Sequence, residues 1–126
     1  MRNNTTFWAE SRCQEQIVSL LRKGLPKNYR ILSIPNGRFK ADPRTIARLK
    51  REGLTPGAPD LLLIRSDGWC AGIEVKAGKG KLSPEQAEWG EWAVYGGGEF
   101  TVVRSVADLE AALAAWNVPM KARVAA

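Results

Sequence analysis

Two hydrophobic periodicities alternate along the chain. In residues 10–23, ESRCQEQIVSLLRK, the apolar positions Cys13, Ile17, Leu20 and Leu21 recur every three to four residues, which predicts a helix with one buried stripe. Gly24 and Pro26 end it. YRILSI reads as a short strand closed by the turn signal PNG, and residues 43–52 form a short basic helix with Ile46 and Leu49 facing inward. After the loop LTPGAP come two strands, DLLLIR and WCAGIEVK, joined by SDG and followed by the glycine-lysine loop AGKGK. In LSPEQAEWGEWAVY, Ser83 is the N-cap, Pro84 the first helical residue and Gln86 the capping-box partner, and Gly96 to Gly98 stop the helix. EFTVVRS is a last strand, and VADLEAALAAW a closing helix with Val106, Leu109, Leu113 and Trp116 on one stripe.

The predicted order is therefore α-β-α-β-β-α-β-α. Strands of mixed connection with helices between them indicate an α/β sheet covered on both faces, and DLLLI is apolar without alternation because both of its faces are covered. A chain of 126 residues suits one domain spanning 1–126, able to bury about two thirds of the surface its unfolded form exposes. There are no internal repeats, and only residues 117–126 are expected to fray.

Against that pattern, the hairpin GAPDLLLIRSDGWCAGIEVK carries Asp60 at its start and Glu74 and Lys76 at its end. A three-residue loop with glycine in the left-handed position pairs Arg65 with Trp69, Leu62 with Gly72, and Asp60 with Glu74. Paired residues share a face with Cβ atoms about 5 Å apart, and Lys76, two beyond Glu74, lies on the same face. A two-residue loop would shift the register and separate the carboxylates. Brought together, two half-buried carboxylates resist ionisation unless a cation lies between them. Hard oxygen ligands suit Mg²⁺ or Mn²⁺, and Lys76 could then act on a water or offset phosphate charge. The same spacing also fits an ordinary ion pair of Lys76 with Asp60 or Glu74 at a sheet end.

Composition narrows the chemistry further. With no histidine, the chain cannot be a Ser-His-Asp or Cys-His hydrolase, a histidine-ligated zinc protein or a nuclease with an imidazole base. Cys13 and Cys70 form no CxxC pair, and neither a signal peptide nor a membrane-length apolar run is legible, so a cytoplasmic, membrane-free protein is expected. The net charge of +6 is concentrated in RFKADPRTIARLKR, residues 38–51, which fits a polyanion partner or a solvated helix face. Arg38, Lys40, Arg44, Arg48 and Arg51 precede the charged hairpin end and Lys79 and Lys81 follow it, a distribution that could straddle a nucleic-acid backbone.

GAPDLLLI followed by GIEVKAGKGKLSPEQ resembles the PD-(D/E)XK nuclease superfamily, and with IPNGRFKADPRTIARLKREGLTPG ahead of it, the small stand-alone VRR-NUC proteins of phages and bacteria. The resemblance runs from about residue 10 to 103. It implies a restriction-endonuclease-like mixed β-sheet core flanked by helices and a Mg²⁺- or Mn²⁺-dependent endonuclease acting on DNA, expected to be branched as for a Holliday-junction resolvase. A nuclease for flaps, nicks or plain duplex, and a non-catalytic nucleic-acid-binding accessory protein, are the other readings. Asp60 and Glu74 match the metal-binding acids, the Val75 carbonyl an expected further ligand and Lys76 the motif lysine. Glu10 matches the acid that completes the metal site, with Glu15 as its competitor. Gln86 matches a glutamine of the motif, a role that stands beside its capping-box role. The resemblance also implies a homodimer of the bacterial or phage-infected cell, with Trp89 and Trp92 as a candidate seam.

Overall fold

Gly68, at φ 102°, closes the turn between the two central strands: its amide donates to the Arg65 carbonyl at 2.9 Å, and the Arg65 amide to the Trp69 carbonyl at 2.8 Å. Asp67 stiffens the turn by accepting from the Trp69 amide and the Arg65 guanidinium. The strands so joined, β2 (Leu61–Arg65) and β3 (Cys70–Val75), are antiparallel with Leu62 opposite Gly72 and Leu61 opposite Ile73. That is the register expected of the three-residue loop; the paired residues end at Leu61 and Ile73, one position short of Asp60 and Glu74.

The computed structural model describes residues 4–35 and 42–121. The remaining elements are α1 (Asn4–Gly24), β1 (Tyr29–Ser33), α2 (Pro43–Arg51), α3 (Pro84–Tyr95), β4 (Glu99–Val103) and α4 (Val106–Ala115), so the order matches the predicted one. The four strands form one mixed sheet in the order β1-β2-β3-β4, antiparallel except for the parallel β3–β4 pair that α3 connects. No helix among the described residues is long and apolar enough to cross a membrane.

Both faces of β3 are covered, for different reasons. Ala71, Ile73 and Val75 join Leu61, Leu63 and Val103 beneath Ile17 and Leu21 of α1 and Leu109 and Leu113 of α4. Each such aliphatic side chain contributes about 1.5–3 kcal/mol on burial. On the other face β3 presents Gly72 and Glu74 to α3. A Cβ on Gly72 would stand 3.0 Å from both Pro59 and Trp89 and 3.2 Å from Phe100, so the glycine makes room for a proline and two aromatic rings.

Four expectations change. Helix α1 begins at Asn4 rather than at residue 10, since residues 4–9 contain no breaker; Glu10 is therefore an interior helical residue. No side chain of α2 is buried, and Ile46 and Leu49 are half-buried. Trp89 is half-buried, with its ring turned to Phe100, while Trp92 is 68% exposed. Fraying does not start at residue 117: Asn117, at φ 57°, caps α4, its amide donating to Ala114 and that of Val118 to Leu113, a Schellman motif that buries Val118. The Lys121 amide then bonds Gly24, where the missing side chain leaves space for Met120. Residues 122–126 lie outside the described ones.

Gly90, buried in α3, would place a Cβ 2.6 Å from the Phe100 ring. Gly→Ala inside a helix ordinarily stabilises by about 1 kcal/mol. Gly90→Ala should instead lower the unfolding free energy in urea by roughly 1–2 kcal/mol through overpacking; an increase would show that Phe100 yields freely.

Candidate active site

Among the described residues only three charged side chains are buried: Glu10 and Glu74, each 3% exposed, and Lys76, 8% exposed. Glu10 comes from α1 and Glu74 and Lys76 from the end of β3, and Asp60 is the residue preceding β2. Asp60 Oδ2 accepts the Val75 amide at 2.8 Å, which ties the entry of β2 to the end of β3. Its backbone carbonyl accepts from Ile34 at 2.8 Å, holding it to the end of β1 as well.

Glu74 is held from α3. Gln86 Nε2 donates to Glu74 Oε1 at 3.0 Å, while Gln86 Oε1 accepts the Ser83 amide at 2.8 Å and the Gln86 amide donates to Ser83 Oγ at 3.2 Å. Gln86 thus completes the capping box and contacts Glu74 at the same time. Because the Ser83 amide can only donate, it fixes the side-chain oxygen on that side and leaves the NH₂ to face Glu74.

Glu10 reaches the site from α1, where it continues the stripe of Ile17 and Leu21, and its Oε2 accepts the Ala77 amide at 3.1 Å. Its competitor Glu15 is exposed. Yet α1 covers the Ile73 and Val75 face of β3, whereas Glu74 projects toward α3. Among the described residues no three acidic, histidine or cysteine side chains group closely enough to hold a metal ion. The structure therefore brings Asp60, Glu74 and Gln86 together and sets Glu10 beside them, on the amide just past Lys76.

The Asp60 and Glu74 carboxylates nevertheless suit a hard cation. Glu74 Oε2 is buried with no hydrogen-bond partner among the described residues. Burial, then the charge of Asp60 and a hydrogen bond with it, push the Glu74 carboxyl up to about 8, and the opposing pull of Lys76 is too weak to offset them. A divalent cation would supply the missing partner and the missing charge together.

Of the basic residues singled out, Arg44, Arg48 and Arg51 are exposed, and their spacing puts them on one face of α2, opposite Ile46 and Leu49. Asp42 caps that helix by accepting the Thr45 amide at 2.7 Å. Lys79 and Lys81 are exposed in the loop after β3, and Arg38 and Lys40 lie outside the described residues. Arg104 was not foreseen: it donates to the Gly78 carbonyl at 2.8 Å and so holds the Lys79 loop from 26 residues away in sequence, a distance across which no local pattern signals a contact.

A family model for the VRR-NUC domain matches residues 3–107. The fold is similar to that of a solved VRR_NUC domain protein, with a TM-score of 0.59 and 17% identity over 92% of this chain and 90% of that one. No curated protein matches the sequence.

With Glu74 titrating near 8 in the folded chain against 4.5 ordinarily, the folded state binds the extra proton between those values. That contribution to stability is complete below pH 4.5 and is lost as pH rises through about 8. Urea unfolding of the metal-free protein should show stability falling across this window, and Glu74→Gln should flatten the fall. An unchanged slope in the variant would assign it to other groups.

Proposed function

The chain belongs to the VRR-NUC family, a nuclease domain of the PD-(D/E)XK type, and from that premise we propose that it is a metal-dependent endonuclease hydrolysing DNA phosphodiester bonds. The observation that carries the reading is the convergence of every buried charge among the described residues on one end of β3, beside Asp60. Buried carboxylates and a buried ammonium are each costly to desolvate, and such groups concentrate at functional sites.

In this reading Asp60, Glu74 and the Val75 carbonyl hold Mg²⁺ or Mn²⁺. Held there, such a cation would supply Lewis-acid chemistry, polarising a phosphate oxygen and lowering the pKa of a water. Gln86 keeps one oxygen of Glu74 in place and leaves the other for the cation. Lys76, whose charge acts on Glu74, would orient the water and offset charge building on the phosphate. Glu10, through the Ala77 amide, fixes the chain immediately past Lys76 and serves as the assisting acid.

The arginine face of α2, with Lys79 and Lys81, supplies backbone-phosphate contacts. Branched DNA is the proposed substrate, and a homodimer the proposed form. The outer face of α3 supports the latter with Trp92 and Tyr95, 68% and 94% exposed. Two copies related by a two-fold axis could then cut two strands.

Wild type, Asp60→Asn and Lys76→Ala should be incubated with labelled Holliday junction, flap, duplex and single strand in Mg²⁺, Mn²⁺ or EDTA. Wild type should cut the junction fastest and be silent in EDTA, and each variant should lose at least about a hundredfold in rate. Cleavage persisting in EDTA or in Asp60→Asn would refute the metal mechanism. Binding without cleavage of any substrate would point to an accessory protein.

A further inference from the structure

The loop that delivers Asp60 does not hang free of α3. Gly57, at φ 89°, lies so close to the first turn of that helix that a Cβ there would collide with the Glu85 carbonyl oxygen, stand 2.5 Å from the Glu85 carbonyl carbon and 3.0 Å from the Gln86 amide nitrogen. These neighbours are backbone atoms inside a capped helix turn, so they cannot rotate aside as a side chain would. Two residues on, Pro59 is fully buried over Gly72.

The contact closes a ring. From Gly57 the chain runs through Pro59 to Asp60, whose carboxylate is bonded to the Val75 amide. Adjacent Glu74 is bonded to Gln86, whose amide is locked by Ser83, and the Gln86 backbone returns to Gly57. Each carboxylate is thus held by a different element, Asp60 by the strand end and Glu74 by the helix, and the Gly57 contact is where those two supports meet.

We propose that Gly57 is a positioning residue of the metal site: the absence of a side chain lets the Asp60 loop rest directly on the first turn of α3, and this seat sets the Asp60 and Glu74 carboxylates for one cation. The proposal rests on the reading of these two residues as metal ligands. It assigns Gly57 a function separate from tolerance of positive φ, and a second glycine allows the two to be told apart. Gly53 has φ 112°, yet a Cβ on it would meet nothing within 4 Å. Both positions strain an alanine backbone; only position 57 has the helix in the way.

The test compares Gly57→Ala with Gly53→Ala, using Mn²⁺ titration by calorimetry on the full chain without DNA, with thermal unfolding as the fold control. Asp60→Asn and Glu74→Gln should abolish Mn²⁺ binding; if they bind as wild type does, the underlying metal reading fails, whatever Gly57 does. If they lose binding, Gly57→Ala should raise the Mn²⁺ dissociation constant by about tenfold or more, as loss of ligand support commonly does, and Gly53→Ala should leave it unchanged. Equal effects of the two alanines would overturn the role of Gly57 alone. A double variant with Gln86→Ala adds a readout that simple strain would not move: the Gly57→Ala effect should shrink when the Gln86 strut is already gone, and full additivity would count against the ring. Should Gly57→Ala not fold, Ser83→Ala loosens the same helix turn without adding atoms. It should weaken Mn²⁺ binding likewise, and wild-type affinity there would overturn the proposal.

Discussion

The hydrogen bond from the Val75 amide to Asp60 ties the geometry of the site to the register of a single hairpin. A slip of one residue would turn Glu74 to the opposite face of β3, away from Asp60 and Gln86, and bring Val75 into its place. What prevents the slip is local: a left-handed glycine at position 68, and Asp67 bonded across the turn to Trp69 and Arg65. A turn at the far end of two strands thereby decides which side chains meet at the other end.

Around that register the fold holds charge where water is scarce. Glu74 is buried beside a second carboxylate and keeps one oxygen without a hydrogen bond, an arrangement that destabilises the ionised form in the protein alone. The surrounding structure can bear this because the rest of β3 is packed on both sides, by α1 and α4 over its aliphatic face and by Trp89 and Phe100 over Gly72. The helix that supplies Trp89 also supplies Gln86 from its capped first turn. Packing and positioning thus come from one element, which α3 can provide because Ser83 fixes both the start of the helix and the orientation of the glutamine amide.

Much of this was legible from residues near one another in sequence. SDG specified the hairpin register, and S-P-E-Q specified the cap of α3; both outcomes depend on backbone conformations that a few neighbouring residues determine. Glu10 was legible only through the resemblance to the family motif, with Glu15 as its competitor; its burial became visible in the fold. What the chain did not disclose was long-range. That Gln86 reaches Glu74 while still capping the helix, that Glu10 arrives from the opposite side of the sheet and bonds Ala77, and that Arg104 holds Gly78 all follow from tertiary packing. The early start of α1 and the Asn117 cap are local, and went unread because neither carries a strong breaker or a glycine.

The central claim is that Asp60 and Glu74 together form the seat of a divalent cation at the end of β3. Crystals of the protein grown or soaked with Mn²⁺ and measured near the manganese absorption edge test it directly, through the anomalous difference map. The expected result is a peak in contact with oxygens of both Asp60 and Glu74, absent from crystals of Glu74→Gln. A map without such a peak at saturating Mn²⁺, or one with the ion bound elsewhere and the Asp60–Glu74 pair left sharing a proton, would contradict it.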